Sequence, residues 1–165
     1  MPNEKKHWPA ASSAEQTAEK LAIATLILLC LIPLFYFMSL PDRIPLHFDG
    51  TGTPDSWGSR YTIFILPGIA VVMYFLLSLF GKQHDMMNFP IQRTPENEEA
   101  LIQLTRLQLR YTKVILHLLF IYLVWGIIRM SLEQADTLAM WPVFIFIGLI
   151  LLMVLYYYRE ANKLQ

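Results

Sequence analysis

His47, Asp49 and Asp55 fall close together in the chain and bring one imidazole and two carboxylates to a short segment. Those types suffice for a metal site or for a general acid/base pair. Asp49, Thr51, Thr53 and Asp55 alternate in a way faintly like a calcium loop, without the EF-hand pattern or its distal Glu. No HExxH occurs, and no serine sits in GxSxG. The simpler expectation is structural: Asp49 and Asp55 accept backbone N–H bonds in turns, and His47 caps a helix end or pairs with one of them. A metal held by His47, Asp49 and Asp55 is the second reading and catalysis the third. A non-enzymatic protein without a cofactor is the favoured outcome.

A second set of polar residues lies farther on. Glu99, Gln103, Arg106, Arg110, Lys113 and His117 recur at spacings of 4, 3, 4, 3 and 4, so a helix would place them on one face. The favoured reading is a solvated face whose basic end meets anionic headgroups, at about 1 kcal/mol per cation. The alternative is that the stripe, with Arg106 and Arg110 as its anchors, docks a partner or lines a wet cleft leading to His117. The adjacent His84-Asp85 pair reads as solvated surface.

The elements that must position these residues follow from composition. Of 165 residues, 55% are hydrophobic and 16% charged, and the mean hydropathy is +0.42. An average soluble domain is roughly 25% charged, so the solvent for much of this chain is lipid. Thirteen basic residues balance thirteen acidic ones, which leaves no basic excess for nucleic acid. The single Cys30 excludes an intrachain disulfide. Four segments, 21–40, 61–80, 111–130 and 139–158, are long and apolar enough to cross a bilayer, for which about 20 residues are needed. Only the third contains charges, Lys113 and Arg129, placed near its ends. The first span is too long for a cleaved signal peptide and no small-residue site follows it.

The expected fold is therefore all-α: a single membrane domain over 1–165, an integral bundle of four transmembrane helices. Residues 1–20 form a cytoplasmic N-terminal segment, 40–60 an ordered external loop between helices one and two, and 81–110 a cytoplasmic loop with a helix extension. Lys5, Lys6, Lys20, Lys82, Arg93, Arg106, Arg110, Lys113, Arg159 and Lys163 fall on one side of this topology. Arg43, Arg60 and Arg129 fall on the other. Ten against three places both termini in the cytoplasm of a plasma or inner membrane.

Local signals sharpen the boundaries. Ser12 and Glu15 make a capping box, so the first helix starts in water. Pro33 and Pro67-Gly68 are expected to kink their spans. Thr94-Pro95-Glu96 reads as an N-cap, a proline at the first helical position and an acid in the first turn. A helix from there to Met130 is about 54 Å long, against a hydrocarbon core of about 30 Å, so its first turns stand outside the bilayer.

The external loop is rich in proline and glycine, which suits a compact cap better than a floppy tether. Gly52 and Gly58 are expected to take positive φ, and Trp57 to pack inward against the helix ends. Within the loop, Leu40-Pro41, Ile44-Pro45, His47-Phe48, Gly52, Pro54-Asp55 and Trp57-Gly58 fall in sequence. This string resembles the signature of the bacterial domain of unknown function family 1648, the domain found in SdpI-type immunity proteins. Asn88-Phe89-Pro90 and Thr94-Pro95-Glu96-Asn97 are similar to the loop after the second span in such proteins. The chain carries Asp49 where many relatives carry Asn, and four spans where SdpI-type proteins have more. The resemblance implies a membrane protein without established chemistry. The combined expectation is a binding protein of immunity or signal-transduction type, with His47, Asp49, Asp55 and Trp57 meeting a peptide or protein ligand outside. Arg106 and Arg110 would meet a cytoplasmic partner. A small transporter or permease subunit is the alternative, with a metal-dependent enzyme third.

Overall fold

The computed structural model describes residues 9–83 and 87–165. The expected His84-Asp85 surface pair and the first eight residues of the N-terminal segment lie outside these.

Helix α1 spans Ser13–Tyr36 and opens on the expected capping box. The Glu15 backbone N–H donates to Ser12 Oγ (3.2 Å), and the Ser12 backbone N–H donates to Glu15 Oε2 (2.8 Å). Pro33 is buried inside α1, which continues through it to Tyr36. Helix α2 spans Ile65–Phe80 and is entered through a 3-10 turn at Arg60–Phe64. Pro67 therefore falls in the first turn of α2, where its missing N–H has no intrahelical partner to lose and no kink is required. Helix α3 spans Glu98–Ser131 and α4 spans Trp141–Asn162.

Helix α3 starts a turn later than the Thr94-Pro95 signal suggests. Residues 95–97 form a turn in which the Thr94 carbonyl accepts the backbone N–H groups of Asn97 (3.3 Å) and Glu98 (3.0 Å). Asn97 Oδ1 in turn accepts the Thr94 N–H, and Asn97 Nδ2 donates to the carbonyls of Gln92 and Leu164, both at 3.1 Å. One amide thus ties the start of α3 to the end of the chain.

All four helices, α2 taken together with its 3-10 entry from Arg60, are long and apolar enough to span a membrane. Their exposed surfaces carry Leu, Ile, Phe and Val in quantity, as expected where lipid is the solvent. Helix α3 is central and packs against α1, α2 and α4. The main core gathers Leu29 of α1, Ala70 of α2, and Val124 and Ile128 of α3 with Leu40, Ile44 and Ile63 from the connecting segment.

The ordered loop between α1 and α2 is a two-stranded antiparallel sheet, β1 (Arg43–Phe48) and β2 (Pro54–Ser59). Ile44 and Pro45 of β1 are buried and anchor it on the bundle. Register irregularities on either side of His47 leave Leu46 and Asp55 without direct partners, while His47 stands opposite Ser56.

Candidate functional site

Two sets of polar side chains stand at opposite ends of the bundle, one on the hairpin and one where the termini lie. On the hairpin, Asp49 organises the turn. Its Oδ1 accepts the Thr51 N–H (2.8 Å), the Thr51 hydroxyl (2.6 Å) and the Thr53 N–H (3.0 Å). The Thr51 hydroxyl first, and then the turn's backbone N–H groups, hold the Asp49 carboxyl below its ordinary value. Three residues after Asp49, Gly52 has φ +87° and its carbonyl accepts the Leu138 N–H at 2.8 Å. A Cβ there would lie 1.8 Å from the Leu138 carbonyl oxygen, so the close approach itself demands glycine.

The bulged register brings His47 Nδ1 to 2.6 Å from Asp55 Oδ1, with both side chains well exposed. Asp49 spends its carboxylate in the turn instead of joining this pair. Among the described residues no group of three His, Cys, Asp or Glu is placed to hold a metal ion. Trp57 does not pack inward: it is 47% exposed. It lies on β2, the outer strand, whose contacts are chiefly with β1, and Ile44 and Pro45 already fill the space against the helices. Gly58 does not take positive φ either. A Cβ there would lie 2.3 Å from Leu46 Cδ1, so the half-exposed Leu46 side chain would have to swing aside.

The second set sits where α1, α2 and α3 meet. Glu99 is exposed as the solvated-face expectation has it, but the basic end of the stripe corrects that expectation. Arg106, Lys113 and His117 are buried, and Arg110 is half-buried. They face α1, whose Glu15 and Glu19 lie one turn apart. Glu15 is fully buried and fully bonded. Arg106 clasps it through Nε to Oε1 (2.7 Å) and Nη2 to Oε2 (3.0 Å), and Arg110 Nη1 adds a bond to Oε1 (2.7 Å). Lys113 Nζ lies 2.9 Å from each oxygen of Glu19, which also accepts from Arg110 Nε (3.1 Å) and the Tyr74 hydroxyl (2.6 Å). The Lys113 ammonium also stands 4.3 Å from the Tyr74 ring centroid. The result is a charge ladder: acids one turn apart on α1 meet bases at 106, 110 and 113 on α3.

His117 continues the ladder with neutral partners. Its Nδ1 is 3.1 Å from both the Ala22 carbonyl and Thr25 Oγ1. Thr25 gives its own proton to backbone carbonyls of α1, so an Nδ1–H tautomer supplies the shared donor. Beside the ladder, a cleft of about 430 Å³ opens between α2 and α3. Glu15, Glu19 and Tyr74 were absent from the expected site set. The spacing of Glu15 and Glu19 against that of Arg106, Arg110 and Lys113 was the available signal.

Residues 24–71 match the family model described as domain of unknown function (DUF1648). That segment covers the second half of α1, the whole hairpin and the first part of α2. An uncharacterized protein of Archaeoglobus fulgidus is 40% identical over 50 residues, which are 30% of this chain and 27% of that protein. The matched segment thus spans about a quarter of that relative's length. No solved structure matches the chain.

Proposed function

We propose that this is a non-enzymatic membrane protein whose hairpin recognises a peptide or protein ligand, as immunity and signal-transduction proteins do. The observation that carries the reading is the set of groups the hairpin leaves free. Trp57 and Leu46 are 47% and 45% exposed beside the exposed His47–Asp55 pair, on a strand pair anchored by Ile44 and Gly52. An exposed aromatic on a rigid frame, flanked by polar groups, is the usual make-up of a recognition surface. Asp49 supports that surface by holding the turn. The ten-to-three distribution of basic residues favours a cell membrane in which the hairpin is outside and both termini are cytoplasmic.

The test is photocrosslinking from position 56 in host membranes, with wild type, His47→Gln, Trp57→Ala and a hairpin-swapped chain. Exposure of His47 and Trp57 means both point variants should keep their melting temperature in detergent while losing the adduct. An adduct that survives the hairpin swap overturns the reading.

A further inference from the structure

The charge ladder does not balance. Arg106, Arg110 and Lys113 bring three cations to two carboxylates, Glu15 and Glu19, in a setting largely removed from water. Among the described residues no other carboxylate pairs with them. Charges withdrawn from water require compensation close by, so the excess cation calls for an anion. The cleft shows where one would sit. Glu19, Ser78, Lys82, Arg106, Arg110 and Lys113 are among its lining residues, with one carboxylate among four cations. Lys113 is saturated by Glu19 and Ser78. Arg110 engages Nε and Nη1 with carboxylates and keeps Nη2 without a hydrogen bond among the described residues. Lys82 is exposed at the rim and makes no ion pair among them. The carbonyls of Leu77, Leu79 and Phe80 at the end of α2 accept the N–H groups of Gly81, Lys82 and Gln83, so they do not turn bare oxygens toward the cleft.

We propose that this cleft binds a phosphate-bearing anion through Arg110 Nη2 and Lys82 Nζ. The volume falls within the range of small-ligand pockets, about 300–1,000 Å³, and the position at the end of α2 suits either a lipid headgroup or a soluble phosphate. The proposal stands apart from the hairpin reading, which concerns the opposite end of the bundle.

Two measurements on the full-length protein test it and separate the sources. In detergent at fixed ionic strength, inorganic phosphate is titrated while melting temperature is followed. In nanodiscs of mixed phosphatidylcholine and phosphatidylglycerol, retained lipid is weighed by native mass spectrometry. A phosphate-dependent rise in melting temperature assigns a soluble phosphate, and enrichment of phosphatidylglycerol assigns a headgroup. Lys82→Glu should weaken whichever response occurs by about tenfold, the scale of one charge-assisted contact. Arg110→Lys, which keeps the charge beside Glu19 but loses the planar fork, should weaken it as well. Lys20→Glu, an exposed cation on the same half of α1 and off the cleft, should leave the response unchanged. Absence of both responses in the wild type overturns the proposal. So does a loss in Lys20→Glu equal to that in Lys82→Glu, which would mark diffuse surface charge.

Discussion

Single residues carry most of the testable consequences, because several are over-determined by their surroundings. Glu15 is the clearest case: its four hydrogen bonds satisfy two guanidinium groups and the first turn of α1. Removing one partner of a buried ion pair leaves the others uncompensated, at a cost of about 3–5 kcal/mol. Glu15→Ala should therefore lower the unfolding free energy in detergent by that order, and the drop should exceed that of Ala substitution at the exposed Glu133. Gly52→Val should cost about 1–3 kcal/mol in backbone strain alone, with the collision against the Leu138 carbonyl added to it. Its signature would be faster amide exchange in both the hairpin and the segment near Leu138. Asp49 predicts a pH effect with a definite sign. Its carboxyl is held below the ordinary value of 3.8, so its support of the turn is present above that value. The support is lost as pH falls below 3.8 through the lowered native value. Amide protection at Thr51 and Thr53 should fall in that acid window, and Asp49→Asn should flatten the profile.

At the scale of elements, α3 organises the protein by presenting different faces to different partners. Toward the termini it offers cations to α1, and toward the hairpin it offers Val124 and Ile128 to the apolar core. Its start is held by Asn97, whose side chain joins Thr94, Gln92 and Leu164. Asn97→Ala removes these three hydrogen bonds, each worth about 0.5–1.5 kcal/mol net where water can reach the partner. Proteolysis of the C-terminal residues should accelerate in that variant while the hairpin keeps its protection. The expected helix start at Pro95 missed this because Asn97 turns its side chain toward the chain end. A distant carbonyl, that of Leu164, decided the local cap.

The whole molecule has two ends of different character joined by apolar helices. Arg106 Nη1 donates to the Pro9 carbonyl and Asn97 reaches Leu164, so both ends of the described chain gather on the side of the charge ladder. The hairpin tip and the segment near Leu138 meet on the other side. Impermeant thiol reagents applied to intact cells should label a cysteine placed at Ser56 and spare one placed at Gln92. The opposite pattern would reverse the orientation. The number of helices, the α1 capping box and the glycine at position 52 were legible in the sequence. Each depends on chemistry within a few residues: apolar runs long enough for a bilayer, a side-chain oxygen three residues from its donor, a turn that needs positive φ. The strands, the exposed Trp57 and the burial of Arg106, Lys113 and His117 were decided by tertiary structure. Periodicity told that these α3 residues share a face, but what a face meets depends on groups far away in the chain. Glu15 lies 91 residues from Arg106, and no local rule distinguishes a cation that meets a headgroup from one that meets a buried carboxylate.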